Sequence, residues 1–145
     1  MPRRHIRALR GRQLGAASAL HPQSSINITS GARNIWVDHC EFWDGQDGNA
    51  DVIRGADKVT FTFNIFGYRT NGLHNLSNLV ASSDNEPESA GKLDITLMFN
   101  HFRGAEQRTP RCRYGDIHVV NNLFTSGWPQ LIDGHVPRSA VPHPA

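Results

Sequence analysis

Little in this sequence can be cross-linked. It has two cysteines, Cys40 and Cys112. Two thiols make neither a zinc site nor a disulfide framework, and they leave the redox compartment open. Acidic residues are absent from the start of the chain: the first is Asp38. Before it stand six arginines, Arg3, Arg4, Arg7, Arg10, Arg12 and Arg33, and after it nine basic residues face thirteen acidic ones. A basic arm ahead of an acidic body is not the charge pattern of a nucleic-acid binder built around its fold. No apolar run approaches the roughly 20 residues of a membrane-spanning helix. "LGAASAL" (14–20) is too short and too rich in Gly, Ala and Ser for a secretory signal core. No capping helix is legible before Ile26, and the closing "VPRSAVPHPA" carries three prolines in ten residues. The expected organisation is a disordered basic arm over 1–25, a folded domain over 26–134 and a disordered tail over 135–145.

What is present is a repeat. Four segments align without gaps: "NIWVDHCEF" (34–42), "KVTFTFNIF" (58–66), "DITLMFNHF" (94–102) and "DIHVVNNLF" (116–124). Their second positions are Ile35, Val59, Ile95 and Ile117; their fourth are Val37, Phe61, Leu97 and Val119. Alternation at these positions marks the inward face of a strand. The ninth position is Phe42, Phe66, Phe102 and Phe124, and the seventh is Cys40, Asn64, Asn100 and Asn122. The starts lie 24, 36 and 22 residues apart, too close for βαβ units and right for a solenoid of stacked coils. In that geometry the asparagines stack as a ladder of turns, each favoured for tolerance of the left-handed conformation, and the phenylalanines stack inside. The competing arrangement is an antiparallel sandwich in chance register. Second strands fall at "ADVI" (50–53), "NLVA" (78–81) and "RCRY" (111–114), with a third short one per coil expected. The long coil holds an excursion, "GYRTNGLHN" (67–75).

Parity places the chemistry. With Ile35 and Val37 inward, Trp36 and Asp38 face out; with Ala50 and Val52 inward, so does Asp51. Asp47 precedes Asp51 by four residues, with Gly48 between them. Asp38, Asp47 and Asp51 together offer hard oxygen ligands for Ca²⁺. Cys112 inward puts Arg113 outward, on the face of Asp51 and about 10 Å from it at about 4.8 Å per coil. Arg108, Arg111 and Arg113 crowd the mouth of that strand and repel one another unless an anion lies between them. Guanidiniums fork carboxylates. Beside a calcium site they point to a polyuronate.

Each feature also has a plainer reading. "DGNAD" alone is a solvated turn, and clustered arginines pair with surface acids such as Glu106 or Asp116. His39 and His118 read as hydrogen-bonded structural histidines, and both cysteines as inert buried thiols. Trp36 either stacks on a sugar or lies under a loop.

"NIWVDH", "DGNAD", "RGADKVT", "SSDN" and "QRTPRCRYGDIHVVNNLF" resemble the pectate lyase family over Ile26 to Phe124. The "vWiDH" strand (Ile35 to His39) and "RxPxxR" (Arg108, Pro110, Arg113) carry the resemblance. It implies a right-handed parallel β-helix and Ca²⁺-dependent β-elimination of polygalacturonate to 4,5-unsaturated uronides. It implies Asp38, Asp47 and Asp51 as calcium ligands, Arg108 as the base and Arg113, with Arg111, on the substrate carboxylate. It also implies a secreted, monomeric protein whose partner is polygalacturonate or another acidic polysaccharide, with neither nucleic acid nor membrane involved. Retained acids favour pectate over methylated pectin.

The chain departs from the family pattern. The lysine that usually precedes "SSD" falls on Leu76 when counted back, or on Asn71 when counted forward, which leaves Arg69 or His74 as stand-ins. Against the family pattern the expectation is a truncated fragment without full N- and C-terminal coils. Two other functions follow from these departures: a catalytically weak or dead β-helix that binds acidic polysaccharide, and a purely structural solenoid.

Overall fold

A computed structural model of the protein describes residues 4–7, 10–11, 24–69 and 74–125. The chain is all-β and winds through three parallel sheets in the same order on each circuit. The first sheet holds β1 (Arg4–Arg7), β4 (Arg33–Asp38), β7 (Asp57–Thr62), β10 (Ile95–Met98) and β13 (Ile117–Val120). The second holds β2 (Arg10–Gly11), β5 (Glu41–Trp43), β8 (Ile65–Gly67), β11 (His101–Arg103) and β14 (Leu123–Thr125). The third holds β3 (Ile26–Ile28), β6 (Ala50–Val52), β9 (Asn78–Val80) and β12 (Arg111–Cys112). This is a parallel β-solenoid, and among the described residues no helix is long and apolar enough to cross a membrane.

The repeat columns are the registers. Ile35, Val59, Ile95 and Ile117 pair in series across the first sheet, as do Phe42, Phe66, Phe102 and Phe124 across the second. The phenyl rings stack along the axis at 5.4, 5.2 and 4.9 Å. Val37, Val59, Phe61, Leu97 and Phe66 are buried beside them in one core. Each such side chain stabilises the fold by about 1.5–3 kcal/mol.

Each nine-residue segment is not one strand but two, on different sheets. The bend falls on the sixth position, where His39, Phe63, Phe99 and Asn121 take left-handed φ values of 53°, 53°, 57° and 51°. The expectation that the asparagines themselves are left-handed is thus displaced by one residue. Asparagine serves the corner through its side chain. The Nδ2 groups of Asn64, Asn100 and Asn122 donate to the carbonyls of Val37, Phe61 and Leu97. Their Oδ1 atoms accept the backbone N–H of Cys40, Asn64 and Asn100 at 2.9, 3.0 and 2.8 Å. Left-handed backbone costs about 1–2 kcal/mol per non-glycine residue. Two or more buried hydrogen bonds per corner, at about 1 kcal/mol each, offset it.

The basic arm is not wholly a tail: β1 pairs with β4 and β2 with β5. The tail over 135–145 lies outside the described residues, as do residues 70–73 of the excursion. The long coil spends its remaining extra length between Ala81 and Asp94, around a 3₁₀ turn at Pro87–Ser89. Glu86 anchors that turn. Its buried carboxylate accepts from the Arg54 and Ser82 amides at 2.6 and 2.7 Å, and from the Ser82 and Ser89 hydroxyls.

Candidate active site

The third sheet carries the chemistry. Ala50, Val52, Val80 and Cys112 turn into the core, so Asn27, Asp51, Leu79 and Arg111 form one outward column in register. Arg111 is therefore the residue in line with Asp51. Arg113 lies just beyond β12, its amide still bound to the Val80 carbonyl. Asp47 sits in the loop between β5 and β6. That loop doubles back tightly: a Cβ on Gly45 would meet the Gly48 carbonyl oxygen at 1.8 Å. Arg108 sits on the approach to β12, in left-handed backbone, in a segment tied to the coil below. Leu76 bridges to Gln107, and the Asn78 amide donates to the Arg108 carbonyl at 2.5 Å.

Asp47, Asp51 and Arg108 converge. Arg108 Nη1 donates to the Asp47 carbonyl at 2.9 Å and lies 3.8 Å from Asp47 Oδ1. His74 Nε2 is 3.5 Å from the same carboxylate oxygen. Arg108 is 17% exposed, and its Nε is buried with no hydrogen-bond partner among the described residues. Asp51 is 5% exposed; it accepts from the Ser24 hydroxyl and, at 3.3 Å, from the Leu79 amide. Burial pushes its carboxyl up to about 6, against the lowering effects of Ser24, Arg108 and the Leu79 amide; neighbouring Asp47 pushes the same way as burial.

Asp38 is not brought to this site. It ends β4 on the first sheet, buried, accepting from Thr62 Oγ1 at 2.6 Å and facing His39 Nδ1 at 2.8 Å. Trp36 Nε1 donates to the same Thr62 hydroxyl at 2.6 Å. Among the described residues no three His, Cys, Asp or Glu side chains assemble as metal ligands. Of the three carboxylates expected together, Asp47 and Asp51 are neighbours, and the Ser24 hydroxyl lies on Asp51. Parity gave the outward face correctly; it does not say which of three sheets a strand joins. Trp36 also lines a groove of about 560 Å³ on the first sheet with Thr60, Met98 and His118, away from Asp51 and Arg108.

The arginines differ in their commitments. Arg113 donates to exposed Asp84 at 2.8 Å and to the Ala81 carbonyl at 3.0 Å. Arg111 is half-buried and makes no ion pair with any described residue. Of the two stand-ins for the missing lysine, Arg69 is bound to Asp44 and lies over the Trp43 ring at 4.9 Å, whereas His74 faces Asp47. Leu76 itself is buried. Ser24 escaped the sequence reading because it fell inside the arm. The signal was present: "INI" (26–28) precedes "ADV" (50–52) by the same 24 residues that separate the first two ladder segments.

The family model described as pectate lyase matches residues 18–135. This chain belongs to the pectate lyase family. It is 42% identical over 96 residues to probable pectate lyase 18 of Solanum lycopersicum, covering 66% of this chain and 22% of that protein. It is 35% identical over 116 residues to a pectate lyase of Bacillus subtilis, covering 68% of this chain and 26% of that one. A pectate trisaccharide-lyase of Thermotoga maritima is 36% identical over 113 residues, 77% of this chain and 29% of the relative. A solved pectate lyase bound to a hexasaccharide superposes with a TM-score of 0.59 at 31% identity, over 70% of this chain and 28% of that one. The chain thus spans about a quarter of the length of these relatives.

Proposed function

We propose that this chain carries the reaction groove of a pectate lyase, acting outside the cell on polygalacturonate by Ca²⁺-dependent β-elimination. The observation that supports it most is the convergence of Asp47, Asp51 and Arg108, with an Arg108 N–H buried and lacking an acceptor among the described residues. An orphan charged donor is costly to bury. It suits an arginine whose partner is a ligand.

The oxygens present suit a hard cation. Asp47, Asp51 and Ser24 offer oxygen only. A Cβ on Gly48 would stand 3.2 Å from Asp51 Oδ1 and 3.4 Å from Ser24 Oγ, so the missing side chain leaves space before these donors. These residues would hold calcium, and calcium would supply positive charge to the substrate's C6 carboxylate, acidifying the adjacent C5 proton. Arg111, in the Asp51 column, pairs with a uronate carboxylate. Arg113 does so where the substrate displaces exposed Asp84. The C5 proton passes to Arg108, or to a hydroxide that Arg108 holds, since guanidinium is a poor acceptor. The C5–H electron pair becomes the C4=C5 double bond, the C4–O4 bond breaks, and O4 leaves with a proton from water.

Two observations favour a second reading, a polysaccharide-binding chain that does not cleave: a hydroxyl stands third beside the two carboxylates, and a buried leucine occupies one reading of the lysine position. Incubation with polygalacturonate and Ca²⁺ separates the two. Near-UV absorbance from unsaturated uronide, abolished by chelator, is the expected result. Retention on a polygalacturonate matrix without that absorbance at any calcium concentration would leave only the second reading.

A further inference from the structure

Tyr68 follows β8 and is buried. Its hydroxyl lies 2.9 Å from the Gly45 carbonyl and 2.5 Å from the Leu76 carbonyl. Each carbonyl leads to one half of the candidate site. Gly45 stands two residues before Asp47 in the loop that carries it. Leu76 bridges to Gln107, the neighbour of Arg108. From there the circuit closes: the Ser77 and Asn78 amides donate to Gln107 and Arg108, and Arg108 Nη1 donates to the Asp47 carbonyl. The mount is rigid. The Tyr68 amide donates to the Arg103 carbonyl at 2.9 Å, and a Cβ on Gly104 would meet the Tyr68 carbonyl oxygen at 2.8 Å. Burial pushes the phenol pKa up, so the hydroxyl remains a donor. Both carbonyls are buried with it, and this hydroxyl lies between them. Joining them fixes the separation of two segments remote in sequence.

We propose that Tyr68 is the positioning residue of the site: its hydroxyl clamps the Asp47 loop against the segment that carries Arg108. Its catalytic consequence rests on the reading of Asp47 and Arg108 as members of the reacting site. A shift of about 1 Å in such a pair lowers turnover about a hundredfold, whereas ground-state affinity resides in Arg111 and Arg113.

Tyr68→Phe removes the hydroxyl and keeps the ring. Hydrogen exchange, followed on the whole chain, reads the clamp without relying on activity. The Gly45 and Asn49 amides, which donate to Asn49 Oδ1 and the Ser77 carbonyl, should exchange at least about tenfold faster, with Val59 and Leu97 unchanged. On polygalacturonate, kcat should fall about 10- to 100-fold with KM within about twofold. Unchanged exchange, equal acceleration at Val59 and Leu97, or an unchanged kcat beside a loosened loop would each overturn the proposal. A wild-type chain with no turnover would instead count against the lyase reading, and the clamp would stand or fall on exchange alone.

Discussion

At the scale of single residues, the three arginines of one ten-residue stretch have three different jobs. Among the described residues Arg108 is largely buried, bonded to Asp47 and short of one acceptor; Arg111 stands in the Asp51 column without an ion pair; Arg113 is held by Asp84. Substitution should separate them. Arg108→Lys keeps a charge but cannot reproduce the fork or the reach of its nitrogens. It should lower kcat by orders of magnitude, about 10²–10³, with KM nearly intact, because the lost interaction belongs to the transition state. Arg111→Lys and Arg113→Lys should raise KM instead, since a lysine does not grip a carboxylate in two places. Steady-state kinetics on polygalacturonate in saturating calcium decides this. Normal turnover in Arg108→Lys would remove it from the reacting site.

At the scale of elements, the ladder is the part of the fold most open to prediction. Asn100 accepts from the Asn64 amide, donates to the Phe61 carbonyl and donates to Asn122 Oδ1. Asn100→Ala strands these groups in a buried corner and should cost about 1–3 kcal/mol in urea denaturation. A loss of a few tenths would mean that water replaces the amide. The Glu86 turn adds a pH dependence. Burial raises the Glu86 pKa, but hydrogen bonds from Ser82, Ser89 and the Arg54 amide outweigh it and hold the pKa below its ordinary value of 4.5. A carboxylate lowered in the fold stabilises above its unfolded value and loses that contribution as pH falls through the folded one. The stability gap between wild type and Glu86→Gln should therefore be full at neutral pH and narrow below about pH 4.5. A gap independent of pH would show that shape, not charge, holds the turn.

The same elements show what sequence could and could not disclose. Columns at positions 2, 4, 7 and 9 were legible because stacked coils repeat their burial, and burial selects residue type. The corner at His39, Phe63 and Phe99 was not, because no propensity rule puts phenylalanine in left-handed backbone. β1 was hidden because Arg4 occupies the column of Ile35, leaving Ile6 opposite Val37 as the sole apolar match. Parity turned Asp51 and Arg113 outward, whereas the register sets Arg111 in the Asp51 column and Arg113 just beyond β12. The same rule turned Asp38 outward without telling its sheet from that of Asp51, since all three sheets alternate alike and only the circuit order tells them apart. Tyr68 carries no pattern of its own, Ser24 shows only through the spacing of "INI" and "ADV", and His74 only as a stand-in for the missing lysine.

For the whole molecule, the open question is how far two carboxylates and a hydroxyl can replace three carboxylates, and calcium-linked stability measures it. A cation that binds only the folded chain raises the unfolding free energy by RT ln(1 + [L]/Kd), about 2.7 kcal/mol at a hundredfold excess over Kd. The folded chain already bears a strain that calcium would relieve: Asp51 is ionised at neutral pH in a site whose burial favours the neutral acid. Two variants separate the arrangements. Asp51→Asn removes the buried charge. It should raise the melting temperature in chelator and abolish most of the calcium shift. Asp38→Asn disturbs the Thr62 and His39 contacts on another sheet, so it should lower the melting temperature yet leave the calcium shift intact. Equal loss of the shift in both variants would restore Asp38 to the metal site and contradict the sheet assignment. Identical melting curves for the wild type in calcium and in chelator would remove the cation from this chain, and with it the proposed means of acidifying the C5 proton.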